Sequence, residues 1–442
     1  MRIVAVIMAG GKGERFWPKS TASRPKQFLA LWGEGTLLQQ AFHRCDRLAG
    51  GPDAVFVVTG PDYVDLVREQ LPDLPPDNLI VEPGARDTAP AIGYATLHVE
   101  RRMPDAVMVV VPSDHVILDE DKFVSTLRRA AYVAACGDYL VTIGITPTRP
   151  EEGYGYIECG DECRAVPGNP EGDPTQTRTP PGFGDQCFNE HEAALGVAGR
   201  VFRVKRFTEK PDVGTALEFI RSGKHLWNAG MFAWRIPSIR AALERHAPSV
   251  ATGLHTIEGL LGAKDSGPAD PGVWASNPHS SAGEPDSDVR TTESGGTRSL
   301  SIGDSDAGPE GQHPFRDTNA FVRDAFLGLE KRSIDYAVLE KADNVLVVLA
   351  DFGWDDVGTW AALERIRDRD EKGNVVQGRA VLVDSRGNIV ENSSGDKMLV
   401  AFGVDNLVIV NTEDVVLVAD KRKSGSLRKA TETLRRSMKD VC

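Results

Sequence analysis

Glycines and cations follow the first apolar run of the chain: Gly10, Gly11, Lys12, Gly13, Glu14 and Arg15 come after IVAVIM, and Arg24, Pro25 and Lys26 come soon after. Glycines let a backbone turn sharply and aim its N–H groups at phosphate oxygens, while Arg15 and Lys26 can neutralise a triphosphate and its leaving group. The spacing is neither G-x-G-x-x-G nor G-x-x-x-x-G-K-[ST], so neither common phosphate loop is indicated. Asp114 closes the apolar run AVMVVVP, and Asp356 lies just past NVLVVLAD with Gly358 beside it. Carboxylates at the carboxyl ends of strands face the crevice of an α/β sheet, and two of them with phosphate oxygens and water suit octahedral Mg²⁺. The bland alternative for Asp114 is a cap on a helix or turn; metal ligation is the preferred reading.

The elements that must position these groups are legible up to about residue 145. The apolar runs IVAVIM, AVFVVT, NLIV, AVMVVVP and YLVTIGI alternate with amphipathic segments at 37–48, 63–71, 89–102 and 122–135. That alternation predicts a doubly wound α/β domain with a mostly parallel sheet. Residues 160–200 and 262–316 are rich in Pro, Gly, Ser and Asp and read as exposed insertions, the second as disordered. A helical pattern resumes over FVRDAFLGLEKRSIDYAVLEKA at 321–342, before the strand in NVLVVLAD. From Gly373 short Val-rich runs separated by Asn, Asp and Gly turns predict a small β-solenoid or β-roll. The expected domains are therefore 1–366 and 373–442.

The loop carries a resemblance. Gly11, Gly13 and Arg15, with Pro25 and Lys26, resemble the signature of the sugar nucleotidyltransferases, and Pro25, Lys26, Gln27, Phe28 and Leu29 narrow it to the mannose-1-phosphate guanylyltransferase branch. EPGARDTAPAI at 82–92, PSDH at 112–115, GYGYI at 153–157, TEKP at 208–211, WNAGMF at 227–232, SIDYAVLEK at 333–341 and GWDDVGTW at 353–360 resemble it in the same order. The resemblance implies a Rossmann-like nucleotidyltransferase fold that transfers GMP from GTP to mannose 1-phosphate, giving GDP-mannose and pyrophosphate with Mg²⁺. It implies metal ligation by Asp114 and Asp356, since the family pattern puts the ligand just before a Val-Gly pair and so selects Asp356 over Asp355. Catalytic roles then fall to Arg15, Lys26, Asp114, Lys210 and Asp356. Nucleotide contacts fall to Gly10, Gly11, Gly13, Arg15 and Lys26, and by resemblance alone to Arg86, Asp87 and Thr88.

On the sugar side, Glu209 offers an acceptor for hydroxyls and Lys210 a cation for the sugar phosphate. An exposed Glu-Lys pair is usually only solvated; Pro211 and the resemblance favour binding. Asn228 can hydrogen-bond a hydroxyl, and Gly230 and Gly155 allow close approach, while Trp227 and Phe232 read as core. His115 fits packing beside Asp114 at least as well as catalysis. The same reaction with another base or sugar stays open, as does a catalytically silent sugar-nucleotide sensor, although retention of all five charged groups argues against the latter.

With 64 acidic against 51 basic residues and a net charge of -13, the chain is a poor nucleic-acid binder. No apolar run approaches the roughly 20 residues of a membrane span, so a cytoplasmic location and small-molecule partners are expected. The oligomeric state is not legible, and a homodimer is one assembly to test. Cysteines at 45, 136, 159, 163, 187 and 442 lack the density of a disulfide-stapled fold. Cys159, Cys163, Cys187 and His191 have paired spacing that a zinc site could use, but their Pro- and Gly-rich surroundings favour unliganded thiols. Some proteins of the branch add a phosphomannose isomerase module with metal-binding histidines; no histidine follows His313, so that activity is not expected.

Overall fold

The computed structural model describes residues 1–11, 13–163, 200–265 and 317–427, with Thr431 and Thr433. Both candidate insertions fall largely outside the described residues. The main strands are β1 (Ile3–Met8), β2 (Val55–Thr59), β3 (Leu79–Val81), β4 (Val107–Pro112), β5 (Val116–Ile117), β6 (Leu140–Ile145), β7 (Gly155–Glu162), β8 (Val201–Glu209), β9 (His225–Arg235), β10 (Val345–Ala350) and β11 (Trp354–Asp355). Among the described residues, nine of these form one sheet in the order β3-β2-β1-β4-β9-β6-β10-β8-β7.

Strand β1 shows why the layout forms. Its Ala5 and Ile7 point into one apolar core and Val4 and Val6 into another, so a continuous apolar run is buried on both faces. Helices α1 (Leu37–Ala49), α2 (Val64–Gln70), α3 (Thr88–Arg102) and α4 (Glu120–Ala135) cover them: Leu38, Val67 and Leu127 on one side, Ile92 and Val99 on the other. Helix α1 starts at a Thr36/Gln39 capping box and ends at Gly50, whose φ of 83° suits glycine.

The sheet is mixed rather than mostly parallel. Its pairings are parallel for β1–β2, β1–β4, β2–β3 and β6–β10. They are antiparallel for β4–β9, β6–β9, β8–β10, β7–β8 and β7–β9. The parallel half is what apolar runs separated by helices predict; every antiparallel pairing involves one of the longer, partly polar strands β7, β8 and β9. This reversal has a use. Because β9 runs against β6, its beginning lies at the carboxyl end of β6, with Gly144 opposite Asn228 and Ile145 opposite Trp227.

Helices α5 (Val213–Ser222), α6 (Ile236–His246), α7 (Pro248–Asp265) and α8 (Asp317–Leu327) follow. The last two pack against each other across the undescribed 266–316 segment. The pattern at 321–342 is not one helix: α8 ends at Leu327, and a single π-helical turn spans Asp335–Leu339.

Beyond β11 come β12 (Val375–Gln377), β13 (Ala380–Val383), β14 (Ile389–Asn392), β15 (Leu399–Phe402), β16 (Leu407–Asn411) and β17 (Val416–Asp420). Strands β12, β14 and β16 pair in parallel, as do β13 and β15, while β17 returns antiparallel. Val390, Ala401 and Ile409 form a small interior. Val375, Ile389, Val408 and Val410 face outward into a core shared with Phe16, Leu31, Val116 and Trp360. Asn392 accepts from Asn411 at 2.9 Å, stacking successive turns.

Candidate active site

The glycine-rich turn leaves β1 beside the end of β4, where the Ser113 amide donates to the Met8 carbonyl. Gly11 and Gly13 have φ of 99° and 50°, the left-handed region that glycine tolerates. A Cβ on Gly13 would stand 2.5 Å from the Lys26 amide nitrogen, so the turn folds directly against the base of Lys26. Gln27 holds the turn by donating to the carbonyls of Ala9 and Gly11 at 3.2 and 3.3 Å.

Lys26 reaches from this turn to both candidate metal carboxylate segments. Its ammonium donates to Asp114 Oδ2 at 3.0 Å and to the backbone carbonyl of Asp356. Asp356 Oδ1 accepts from the Gly358 amide at 3.2 Å and from the Tyr154 hydroxyl. A Cβ on Gly358 would lie 2.9 Å from Asp356 Oδ2 and 3.4 Å from an Arg15 nitrogen, so Arg15 stands beside the same carboxylate. Burial pushes the Asp114 carboxyl up, but Lys26, His115 and Arg15 outweigh it and hold the group below its ordinary value. Asp114 is thus ionised at neutral pH.

Two loops carry these aspartates, and a short antiparallel ladder joins them: Val116 pairs with Asp355 and Ile117 with Trp354. Asp114 and Asp356 each lie within two residues of a rung. Asp355 is occupied elsewhere, since Arg365 grips both its oxygens and the Val357 amide donates to Oδ1 at 2.8 Å. Trp354 donates to His115 Nδ1 at 3.1 Å, which puts the ring's proton of the neutral form on Nε2, 3.9 Å from Asp114 Oδ1. Burial lowers the His115 pKa more than Asp114 raises it. His115 is therefore a packed neighbour of Asp114.

A second cluster gathers the sugar-side residues. A Cβ on Gly155 would meet Glu209 Oε2 at 2.5 Å and the Asn228 side chain at 3.5 Å, so the absent side chain is what admits both. Lys210, at φ 48°, donates to Glu209 Oε1 at 2.5 Å and lies over half exposed. Burial pulls its ammonium down, but Glu209 and Asp335 override this and leave it above its ordinary value.

Sequence reasoning missed Asp335, although it lies inside the quoted SIDYAVLEK motif. Its Oδ1 accepts from Asn228 at 2.7 Å, and burial, with Glu209 nearby, pushes its pKa up to about 6. Tyr154, within the GYGYI motif, was not singled out; Arg149 donates to its hydroxyl at 3.1 Å and stacks on Trp227. Glu82 opens the 82–92 motif whose resemblance pointed to the nucleotide, but Arg86, Asp87 and Thr88 were preferred to it. It is buried at the end of β3 with Oε1 3.3 Å from a Gly10 Cβ position, and burial pushes its pKa up to about 7.

Arg86, Asp87 and Thr88 each have a structural bond. Arg86 donates to the Leu327 carbonyl, Asp87 caps α3 by accepting from the Thr88 amide, and Thr88 accepts from the Ile334 amide at 2.9 Å. Cys159 and Cys163 are free thiols, while Cys187 and His191 lie outside the described residues. Among the described residues no group of three or more His, Cys, Asp and Glu could hold a metal, and no helix is long and apolar enough to cross a membrane. A cavity of about 840 Å³ edged by Cys159, Phe202, Val204 and Leu226 opens elsewhere, and none of the predicted site residues lines it.

With this geometry in place, the chain can be compared with known proteins. Residues 4–167 match the Nucleotidyl transferase family model, and residues 378–434 match the MannoseP isomerase/GMP-like beta-helix domain. A mannose-1-phosphate guanylyltransferase of Klebsiella pneumoniae is 32% identical over 439 residues, covering 99% of this chain and 75% of the relative. The alginate biosynthesis protein AlgA of Pseudomonas fluorescens is 32% identical over 435 residues, covering 98% and 72%. A crystal structure from Thermus thermophilus, described as mannose-1-phosphate geranyltransferase, superimposes with a TM-score of 0.72 at 29% identity, covering 98% of this chain and 100% of that one. A nucleotidyltransferase domain followed by a β-helix-like domain, with relatives matched along almost the whole chain, means that this protein belongs to the mannose-1-phosphate guanylyltransferase family.

Proposed function

We propose that the chain transfers GMP from GTP to α-D-mannose 1-phosphate, releasing pyrophosphate and GDP-mannose. The observation that carries this reading is the convergence of Lys26, Arg15, Asp114 and Asp356 at the mouth of the glycine-rich turn. A phosphate oxygen of the sugar phosphate attacks the α-phosphorus in line; the new P–O bond forms as the bond to the β-phosphate oxygen breaks, and its electron pair leaves with pyrophosphate. The nucleophile is already anionic at neutral pH, so the protein needs no general base, only positioning and charge neutralisation. Lys26 and Arg15 hold the triphosphate, and Lys210 steers the incoming phosphate. Glu209, Asn228 and Asp335 accept and donate to sugar hydroxyls above Gly155.

The donor set at the turn fits Mg²⁺, which takes one or two carboxylates and completes its shell with phosphate oxygens and water: Asp114 and Asp356 are oxygen donors carried by different loops. Asp114 and Asp356 would hold it, and when bound it supplies positive charge to the phosphate oxygens. Glu82, buried beside Gly10, offers the acceptor that the N1–H and amine of guanine require, and Arg86, Asp87 and Thr88 remain candidates for the base from the same segment. We place the catalytic domain at 1–366, interrupted by 160–200 and 262–316, and read 373–442 as a β-solenoid. The expected partners are the two small substrates rather than nucleic acid, in the cytoplasm. Asp114→Asn and Asp356→Asn test the site: each should cut kcat by roughly 10² or more with folding intact. Near-parental kcat in either at saturating Mg²⁺ would remove it from the mechanism.

A further inference from the structure

The turn that carries Arg15 is gripped from behind by the C-terminal strands. Residues Glu14–Phe16 form a short 3-10 turn, and the chain folds back on itself there, the Ser20 amide donating to the Phe16 carbonyl at 2.9 Å. Arg15 is on the front of this turn, beside Asp356. On the back, Trp360 donates to the Trp17 carbonyl at 3.1 Å and its ring lies 4.9 Å from that of Phe16. Lys19, four positions after Arg15, pairs with Glu391 on β14. The Glu391 side chain is only 2% exposed, and its other oxygen accepts from Arg367 at 2.9 Å. Arg367 in turn donates to the Leu31 carbonyl at 2.8 Å, on the far side of Lys26 along the same loop.

A buried carboxylate between two cations is costly to assemble and costly to break. Here it joins two ends of the phosphate-binding loop to a strand more than three hundred residues away in sequence. Apolar packing of Phe16, Leu31, Ile389 and Val408 would hold the domains together without it. What the ion triad adds is direction: the Lys19–Glu391 pair forms with the Glu14–Ser20 turn laid against β14, and that placement orients the turn from which Arg15 projects.

We infer that Glu391 is a positioning residue for the nucleotide triphosphate, acting through Lys19 on the Arg15 turn, so that the C-terminal domain forms part of the frame of the GTP site. The inference rests on the proposed use of GTP. It predicts a defect confined to the nucleotide, since the Gly155, Glu209 and Asn228 cluster touches none of these groups.

The test uses the full chain with Lys19→Met, which leaves the Arg367–Glu391 pair intact, and with Glu391→Gln. GTP affinity is read directly by calorimetric titration with GTP and Mg²⁺, and KM is measured for each substrate separately. Lys19→Met should weaken GTP five- to tenfold and leave KM for mannose 1-phosphate within twofold. Glu391→Gln should do the same, and in the Lys19→Met background it should add less than its own effect. Parental GTP affinity in folded Lys19→Met, with only a lower melting temperature, would overturn the inference, as would equal weakening of both substrates. A parent that binds no GTP would instead overturn the functional reading beneath it.

Discussion

Gly13→Ala places a methyl group where the structure has no room for one. The added carbon would stand 2.5 Å from the Lys26 backbone nitrogen and 2.9 Å from its Cβ, about 1 Å inside normal contact distance. The nearest atom is backbone, so no rotamer change relieves the clash. Lys26 or the glycine turn must move by that amount, and Lys26 would lose its 3.0 Å contact with Asp114. A displacement of about 1 Å in a positioning group costs on the order of 10² in rate. The φ of 50° adds a left-handed cost of about 1–2 kcal/mol in stability. Gly50→Ala separates the two effects, because residue 50 has φ 83° with nothing within 4 Å of the added carbon. Both variants should melt lower than the parent, but only Gly13→Ala should lose kcat in steady-state pyrophosphate release. Parental kcat in Gly13→Ala would refute the argument that the turn's fold against Lys26 is what catalysis needs.

Burial raises Glu82 from 4.5 to about 7, so the folded state keeps a proton that the unfolded chain releases, and stability falls as pH rises from about 4.5 to about 7, by up to ~3 kcal/mol. Glu82→Gln should therefore flatten the melting temperature over that window and exceed the parent at pH ~8; an unchanged pH profile would contradict this. Gly155→Ala would put a carbon 2.5 Å from Glu209 Oε2 and should raise KM for mannose 1-phosphate roughly tenfold, the worth of one charged hydrogen bond; a matching rise in KM for GTP would count against a separate sugar cluster. Replacing residues 264–314 with a short Gly/Ser linker should leave kcat/KM within about threefold, since α7 and α8 already pack together and loop closure depends weakly on length; abolished turnover would contradict it.

The parallel half of the sheet was readable because β1, β2 and β4 are buried on both faces and separated by helices, so apolar content alone marks them. Strands β7, β8 and β9 escaped that reading, since their pairing with one another depends on contacts far apart in sequence. The same limit governed the site. Asp114 and Asp356 stand at strand ends, where local pattern points to chemistry. Asp335 and Glu82 gain their character from burial, and Tyr154 from a partner 202 positions away, none of which a local pattern encodes. The helical texture at 321–342 misled because it continues through a break at Gly328 that only tertiary packing reveals.

Pyrophosphate release measured for GTP, ATP, UTP and dTTP, each with mannose 1-phosphate and Mg²⁺, tests the central claim most directly. Turnover with GTP should be at least tenfold above that with any other nucleotide, with GDP-mannose as the product and none formed without the sugar phosphate. Preference for another nucleotide, or no turnover with GTP from folded protein, would contradict it.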